Sequence, residues 1–178
     1  QLAVTSDLNA RVALGSALWL HELTDRAPDQ HELSMPPHQT VPTALKTAFR
    51  VVRFEPRLTA IAKNRLPVQA PATILTHLAD APSDVRSWND VLEALPALAA
   101  MTSRDDFIRE ARSRPHATRV RLAYLLETAA PDLVRALDVD AGSKVWFGPR
   151  RSLRRHNAKW NIADTVLPYP PNKLGPNL

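Results

Sequence analysis

The sequence predicts an α/β (α+β) fold, with a small mixed sheet in the N-terminal half and near the C-terminus, packed with a helical middle section. A short run of alternating polarity occurs at residues 31–35, and β-branched and aromatic runs occur at 49–55 and 145–147. Between residues 71 and 137 the apolar positions instead recur at helical spacing. A chain of 178 residues with 44% hydrophobic composition is long enough to bury a core of its own.

The first element is predicted to be a helix. Ser6 or Asp7 is suited to its N-cap, and apolar residues at helical spacing carry it to about Glu22. This stretch lacks the basic N-terminal region and the small-residue cleavage site of a signal peptide, so we interpret it as a core helix. No apolar run reaches the length of about 18 residues that a transmembrane helix requires.

Strands are expected next. The run at residues 31–35 alternates in polarity and ends at two prolines, and the run at 49–55 ends at Pro56. Two further strands are predicted at residues 58–61 and 66–69. These segments would form the sheet of the N-terminal half.

The middle of the chain is predicted to be helical, and each helix has a recognisable start. Pro71, Pro115 and Pro131 suit the first turn of a helix, where the missing N–H does no harm. Ser87 and Ser103 each stand three residues before an aspartate, which is an acidic form of the capping box.

Two further details refine the helical region. Pro96 predicts a kink or a restart in the helix that begins after Ser87. The strongest helical signal of the chain is an apolar stripe at Leu122, Leu125, Leu126 and Ala129.

The C-terminal part returns to an extended pattern. Val145–Phe147 predicts a strand, and residues 160–167 predict another extended piece. We interpret residues 1–167 as a single domain and residues 168–178 as a proline-rich tail, free or bound to a partner.

Composition and motifs exclude several kinds of enzyme. The chain has no cysteine, which excludes thiol nucleophiles and thiolate zinc sites, and its 4 glycines spell neither a dinucleotide-binding motif nor a Walker loop. His21-Glu22-Leu23 and His31-Glu32-Leu33 open like a zincin motif but lack its second histidine. No nuclease or serine-hydrolase motif is complete. We therefore expect no enzymatic activity, no metal and no cofactor.

A basic segment near the C-terminus is the most distinctive charge pattern in a chain of net charge +5. Six basic residues occur without an intervening acid: Lys144, Arg150, Arg151, Arg154, Arg155 and Lys159. With the interleaved Trp146, Phe147 and Trp160, the segment is suited to nucleic acid or to an acidic protein surface. The alternative is a solvated loop whose aromatic residues belong to the core.

A second basic stripe is looser and is balanced by nearby acids. We interpret it as an exposed helix face, formed by Arg109, Arg112, Arg114, Arg119 and Arg121.

Four blocks of the sequence carry a family resemblance. They are ALWLHELTDR at 17–26, HELSMPP at 31–37, FRVVRF at 49–54 and LPVQAPATIL at 66–75. Together they resemble the C-terminal domain of AbiEi-type antitoxins, including the MenA branch, over residues 10–167. Glu22 stands where the family usually has glycine.

The resemblance implies an antitoxin of a bacterial toxin–antitoxin system, acting in the cytoplasm without a membrane. Its partner would be a cognate nucleotidyltransferase toxin, bound directly so that the substrate site is covered. The alternative is a nucleic-acid-binding regulatory domain that uses residues 144–159 on operator DNA or on the RNA substrate of the toxin. Family members usually carry a winged helix-turn-helix upstream of this domain.

Overall fold

A five-stranded mixed sheet forms the N-terminal half of the fold in the computed structural model, which describes residues 9–173. Its strands are β1 (Arg11–Val12), β2 (Glu32–Met35), β3 (Arg50–Arg53), β4 (Ile61–Lys63) and β5 (Leu66–Val68). The spatial order is β3-β2-β1-β5-β4. Strand β1 pairs antiparallel with β2 and parallel with β5, so this two-residue strand joins the two halves of the sheet.

Seven α-helices occur within the described residues. They are α1 (Leu14–Leu20), α2 (Thr43–Ala48), α3 (Pro71–Asp80), α4 (Trp88–Ala100), α5 (Arg104–Ala111), α6 (His116–Leu126) and α7 (Pro131–Leu137). Helix α3 lies at the centre, where every residue from Pro71 to Ala79 is buried. It contacts α1, α4, α5 and α6, so the helical region packs around it. None of the helices in this part of the chain is long and apolar enough to cross a membrane.

A second, three-stranded sheet packs against α6. Its strands are β6 (Val145–Phe147), β7 (Arg155–Asn157) and β8 (Ile162–Asp164), in the order β6-β8-β7. The ring of Phe147 is fully buried, with its centroid 5.3 Å from that of Trp88 and 5.7 Å from that of Tyr124. These aromatic contacts make the second sheet part of the same core as the helices.

The predicted α+β class is confirmed, and so are most of its strands. Strands form within residues 31–35, 49–55 and 66–69, but the one predicted at 58–61 forms at Ile61–Lys63 instead. The shift has a local cause, because Asn64 and Arg65 both have positive φ angles, of 49° and 63°. Two such residues make the tight turn of a hairpin, which pairs Lys63 directly with Leu66.

The first helix is the main error of the sequence interpretation. Ser6 and Asp7 lie outside the described residues, and Arg11–Val12 is the strand β1 instead of helix. Helix α1 begins only at Leu14. A carboxylate oxygen of Glu32 on β2 accepts a 2.9 Å hydrogen bond from the backbone N–H of Gly15, so a distant residue supplies the cap.

The helix starts in the middle of the chain are confirmed. Ser87 and Ser103 each accept a hydrogen bond from the backbone N–H three residues later. The predicted restart at Pro96 does not occur, because α4 is continuous from Trp88 to Ala100. Pro96 is exposed, so the hydrogen bond that it cannot donate is lost beside solvent and not in the core.

The elements near the C-terminal end agree in part with those predicted from the sequence. Leu122, Leu125 and Leu126 are fully buried on α6, whereas Ala129 follows the end of the helix and is half-buried. Strand β8 lies within the predicted extended piece at 160–167, but β7 was not predicted. At the start of the predicted tail, Tyr169 is partly buried and Pro171 is buried, while residues 174–178 lie outside the described range.

A buried carboxylate joins three elements of the fold. Glu110, on α5, is fully buried, and its oxygens accept hydrogen bonds from the backbone N–H groups of Arg57 and Leu58 at 3.0–3.1 Å. They also accept one from the hydroxyl of Thr73 on α3 at 3.0 Å and form a salt bridge with Arg114. The guanidinium of Arg114 lies over the ring of Phe54, 4.4 Å from its centroid.

We expect Glu110→Gln to lower the free energy of unfolding by about 3–5 kcal/mol. The substitution leaves the nearly buried Arg114 without its charge partner and brings an NH₂ group towards backbone N–H donors. Urea denaturation measures the difference. Glu93→Gln on the exposed side of α4 is the matched control and should change stability by less than about 0.5 kcal/mol.

Candidate partner-binding surface

The second sheet carries the whole basic segment, residues 144–159. One basic residue precedes β6, three lie in the loop between β6 and β7, one begins β7, and one lies in the turn before β8. In that order they are Lys144, Arg150, Arg151, Arg154, Arg155 and Lys159. The fold therefore places all six on one small sheet, but it gives them different roles.

The loop after β6 is shaped by a glycine. Gly148 has φ +104°, and a Cβ atom built there would lie 2.5 Å from the Cγ1 of Val166 and 2.7 Å from the Oγ1 of Thr165. The Thr165 hydroxyl also donates to the carbonyl of Pro149 at 2.9 Å. These contacts hold the start of the loop against residues 165–166, and both Arg150 and Arg151 are exposed beyond it.

The side chain of Arg155 is bound by acceptors within the protein. It donates to Oδ2 of the buried Asp164 at 3.0 Å and to the carbonyl of Pro168 at 3.0 Å. Asp164 also accepts hydrogen bonds from the hydroxyl of Tyr124 and from two backbone N–H groups. Burial, reinforced by this carboxylate, raises the pKa of the Tyr124 hydroxyl, which therefore stays protonated as a donor.

Lys159 and Lys144 have partners within the second sheet and α6. Lys159 forms a salt bridge with Glu127, which also accepts a 3.1 Å hydrogen bond from the indole of Trp160. The ammonium of Lys144 lies 5.1 Å from the centroid of Trp146. Both lysines remain exposed, so these contacts orient them without removing them from solvent.

The remaining arginines form a free cationic surface. Within residues 9–173, Arg150 and Arg151 make no salt bridge and no side-chain hydrogen bond, and Arg154 has only a 3.5 Å contact with the carbonyl of Leu167. Leu153, in the middle of this stretch, is 49% exposed. Arginine is enriched at protein–protein interfaces, and Leu153 adds exposed apolar area beside these charges.

The aromatic residues of the segment are mostly part of the core. Phe147 is fully buried and Trp160 is 9% exposed, so neither is available to stack on a base. Trp146 is half-buried, with Lys144 at its face. The interpretation of the aromatics as core residues therefore holds for Phe147 and Trp160.

The second basic stripe is only in part an exposed helix face. Arg114 is bound to Glu110, and Arg121 donates a 2.7 Å hydrogen bond to the carbonyl of Trp146 and longer ones to Ala79 and Asp80. These two arginines hold the helices and the second sheet together. The prediction was wrong for Arg121 because its acceptors lie 25 to 42 residues away in the sequence, and for Arg114 because the fold buries its partner Glu110.

An apolar cleft of about 400 Å³ lies between the first sheet and α2, and sequence reasoning missed it. Trp19, Leu33, Leu45 and Phe49 are among the residues that line it. Trp19 is 36% exposed, and its ring stacks on His31 with centroids 5.8 Å apart. The apolar spacing of Val41, Leu45 and Phe49 was the available signal for α2, and hence for the cleft.

The two zincin-like openings do not meet at a site. His21 is buried, with Nε2 2.9 Å from the carbonyl oxygen of Gln69, whereas His31 is exposed beside Trp19. In the part of the chain that the structure describes, no three His, Asp or Glu side chains are arranged to hold a metal ion.

Comparisons with known proteins concern both family and fold. The family model of the AbiEi antitoxin C-terminal domain matches residues 10–128 and so ends before the basic segment. No curated protein matches the chain significantly. The crystal structure of the RV2827C protein from Mycobacterium tuberculosis has a similar fold, with a TM-score of 0.75 and 22% sequence identity. The similarity covers 93% of this chain and 66% of the mycobacterial chain. This chain therefore spans about two thirds of the length of the mycobacterial protein.

We expect Asp164→Asn to lower the free energy of unfolding by about 3 kcal/mol. The substitution removes the charge partner of Arg155 and an acceptor of the Tyr124 hydroxyl inside the core. Arg150→Ser removes one charge from the same sheet without breaking a contact and should change stability by less than about 0.5 kcal/mol. Equal denaturation curves for the two variants would contradict the structural role of Asp164.

Proposed function

This chain belongs to the family of AbiEi antitoxin C-terminal domains, and we propose that it neutralises a cognate nucleotidyltransferase toxin by binding it directly and covering its substrate site. The four sequence blocks resemble this family, including its MenA branch. On this proposal the two proteins meet in the cytoplasm.

Covering a substrate site requires a complementary surface and no catalytic group. Enzymes that transfer nucleotidyl groups hold Mg²⁺ with carboxylates, and the metal in turn binds the substrate phosphates. Arginine pairs with carboxylates through two parallel hydrogen bonds, so an arginine-rich surface is suited to a carboxylate-lined site that is free of metal. Inhibition then follows because metal and nucleotide are excluded together.

The observation that carries the proposal is the free cationic surface on the second sheet. Arg150 and Arg151 have no partner among residues 9–173, and Arg154 is exposed beside them. Leu153 supplies an exposed apolar side chain between these charges. This combination supports binding to an acidic protein surface with an apolar centre.

The direct test is the triple variant Arg150→Ser, Arg151→Ser, Arg154→Ser. Arg155 is kept because it neutralises the buried Asp164. We expect unchanged thermal stability and a loss of toxin affinity of about 100-fold or more, mainly through slower association. Biolayer interferometry measures the rates, and a toxin activity assay should show that inhibition is lost.

A charge-matched control separates this surface from the apolar cleft. Lys46→Ser, Lys63→Ser, Arg65→Ser removes the same number of charges from α2 and from the β4–β5 hairpin. The control should bind toxin as the unmodified protein does. If the control loses binding and the arginine variant keeps it, the interface lies at the first sheet and the proposed surface is wrong.

Nucleic-acid binding by the same surface would have a different signature. Each lost phosphate contact should flatten the dependence of log K on log salt concentration by about 0.7–0.9. The burial of Phe147 and Trp160 leaves few faces for base stacking, which favours a protein partner. The same triple variant, titrated with RNA over a range of salt concentrations, distinguishes the two partners.

We expect the purified protein to show no hydrolase, transferase or nuclease activity by itself. Proteins of this family are antitoxins and not enzymes, and the sequence contains no complete catalytic motif. Assays with RNA, DNA and nucleoside triphosphates test this expectation, with a mock purification as the control. Turnover that follows the protein through two unrelated purification steps would contradict it.

A further inference from the structure

A groove on the opposite side of α5 from Glu110 is separate from both surfaces described above. It lies where α5, α6 and α7 meet and has a volume of about 720 Å³. Four arginines line it: Arg104, Arg109, Arg112 and Arg119. The sequence interpretation had assigned three of them to an exposed helix face.

The helical spacing explains why these side chains converge. Arg104 and Arg112 are eight residues apart and share one stripe of α5 and its C-cap, with Ile108 between them. Arg119 projects from α6, which follows α5 after a short turn. Ser103 caps α5, so the start of the stripe is held in place.

Three of the four arginines have no anionic partner. Among residues 9–173, Arg104, Arg112 and Arg119 make no salt bridge and no side-chain hydrogen bond, whereas Arg109 pairs with Asp106. The Nε atom of Arg119 is buried and unpartnered. A buried donor on a charged group destabilises the protein unless an acceptor binds it, so the groove is suited to an anion.

We propose that this groove binds the phosphate group of a nucleotide-sized ligand. Guanidinium groups pair with phosphate oxygens through two parallel hydrogen bonds. Ile108, Ala136 and Leu137 line the groove beside the arginines and offer an apolar surface to an uncharged part of the ligand, such as a base. The volume is within the usual range for small-molecule sites, about 300–1,000 Å³.

The acids in the groove limit the size of the ligand. Asp105 and Asp138 also line it, and neither pairs with an arginine of the groove in the described residues. A phosphate group can lie between the arginines and avoid these carboxylates. A nucleic-acid strand that crosses the groove carries a phosphate at every residue and would meet them, so a nucleotide is favoured over a strand.

The groove is lined by residues of this chain alone, so ligand binding can be measured without a toxin. Isothermal titration calorimetry with ATP and with inorganic pyrophosphate, at low salt and without Mg²⁺, should show saturable binding at one site. Arg119→Gln and Arg112→Gln should each weaken it about tenfold, since each removes one charge-assisted pair. The double variant Arg150→Gln, Arg151→Gln is the control and should bind both ligands normally.

Each outcome decides for or against phosphate binding in the groove. Absence of saturable binding to both ligands overturns the proposal, and so does unchanged affinity in a folded groove variant or loss of affinity in the control. If Arg119→Gln does not fold, as judged by circular dichroism, the exposed Arg112 decides the question. Binding of a short single-stranded RNA without binding of ATP or pyrophosphate also overturns it, because the ligand would then be a strand.

Discussion

The buried carboxylate of Glu110 is the constraint on which the arrangement of the first sheet and the helices depends. It holds the loop after β3, the central helix α3 and Arg114, in the turn between α5 and α6, through one set of hydrogen bonds. A buried carboxylate destabilises the fold unless hydrogen-bond donors satisfy its oxygens. Movement of any one of these elements would remove a donor from Glu110. Because Glu110 fixes the inner face of α5, it also fixes the direction in which the outer face presents Arg104 and Arg112.

Asp164 has the same function in the second sheet, and together the two acids determine which arginines remain free. Asp164 binds Arg155 and the hydroxyl of Tyr124, and Glu127 binds Lys159. Among the cations without such partners, arginines form two clusters, one around Leu153 and one in the groove of α5. A protein with an excess of arginine over internal acids presents positive charge to other molecules, which is the requirement of the proposed antitoxin mechanism.

Local chemistry explains which parts of the fold could be predicted. Helix starts at Ser87 and Ser103 were recognisable because the caps are made by the neighbouring backbone. Strands that end at proline were recognisable because proline cannot donate to a ladder. Strand β1 was not, because two residues carry no periodicity and their extended form comes from pairing with β2 and β5. Helix α2 has 6 residues, so the spacing of Val41, Leu45 and Phe49 was its one signal and was too short to stand out.

For the candidate surface, the sequence by itself determined that six cations lie close together between two strands and that the chain resembles an antitoxin domain. Only the tertiary structure decided that Arg155 and Lys159 are paired, that Phe147 and Trp160 are buried, and that Arg150 and Arg151 are free. The physical reason is distance along the chain. Capping and strand-ending residues act on neighbours within a few positions, whereas a charge is neutralised by whichever acid the fold brings to it, as Glu127 is brought to Lys159 across 32 residues.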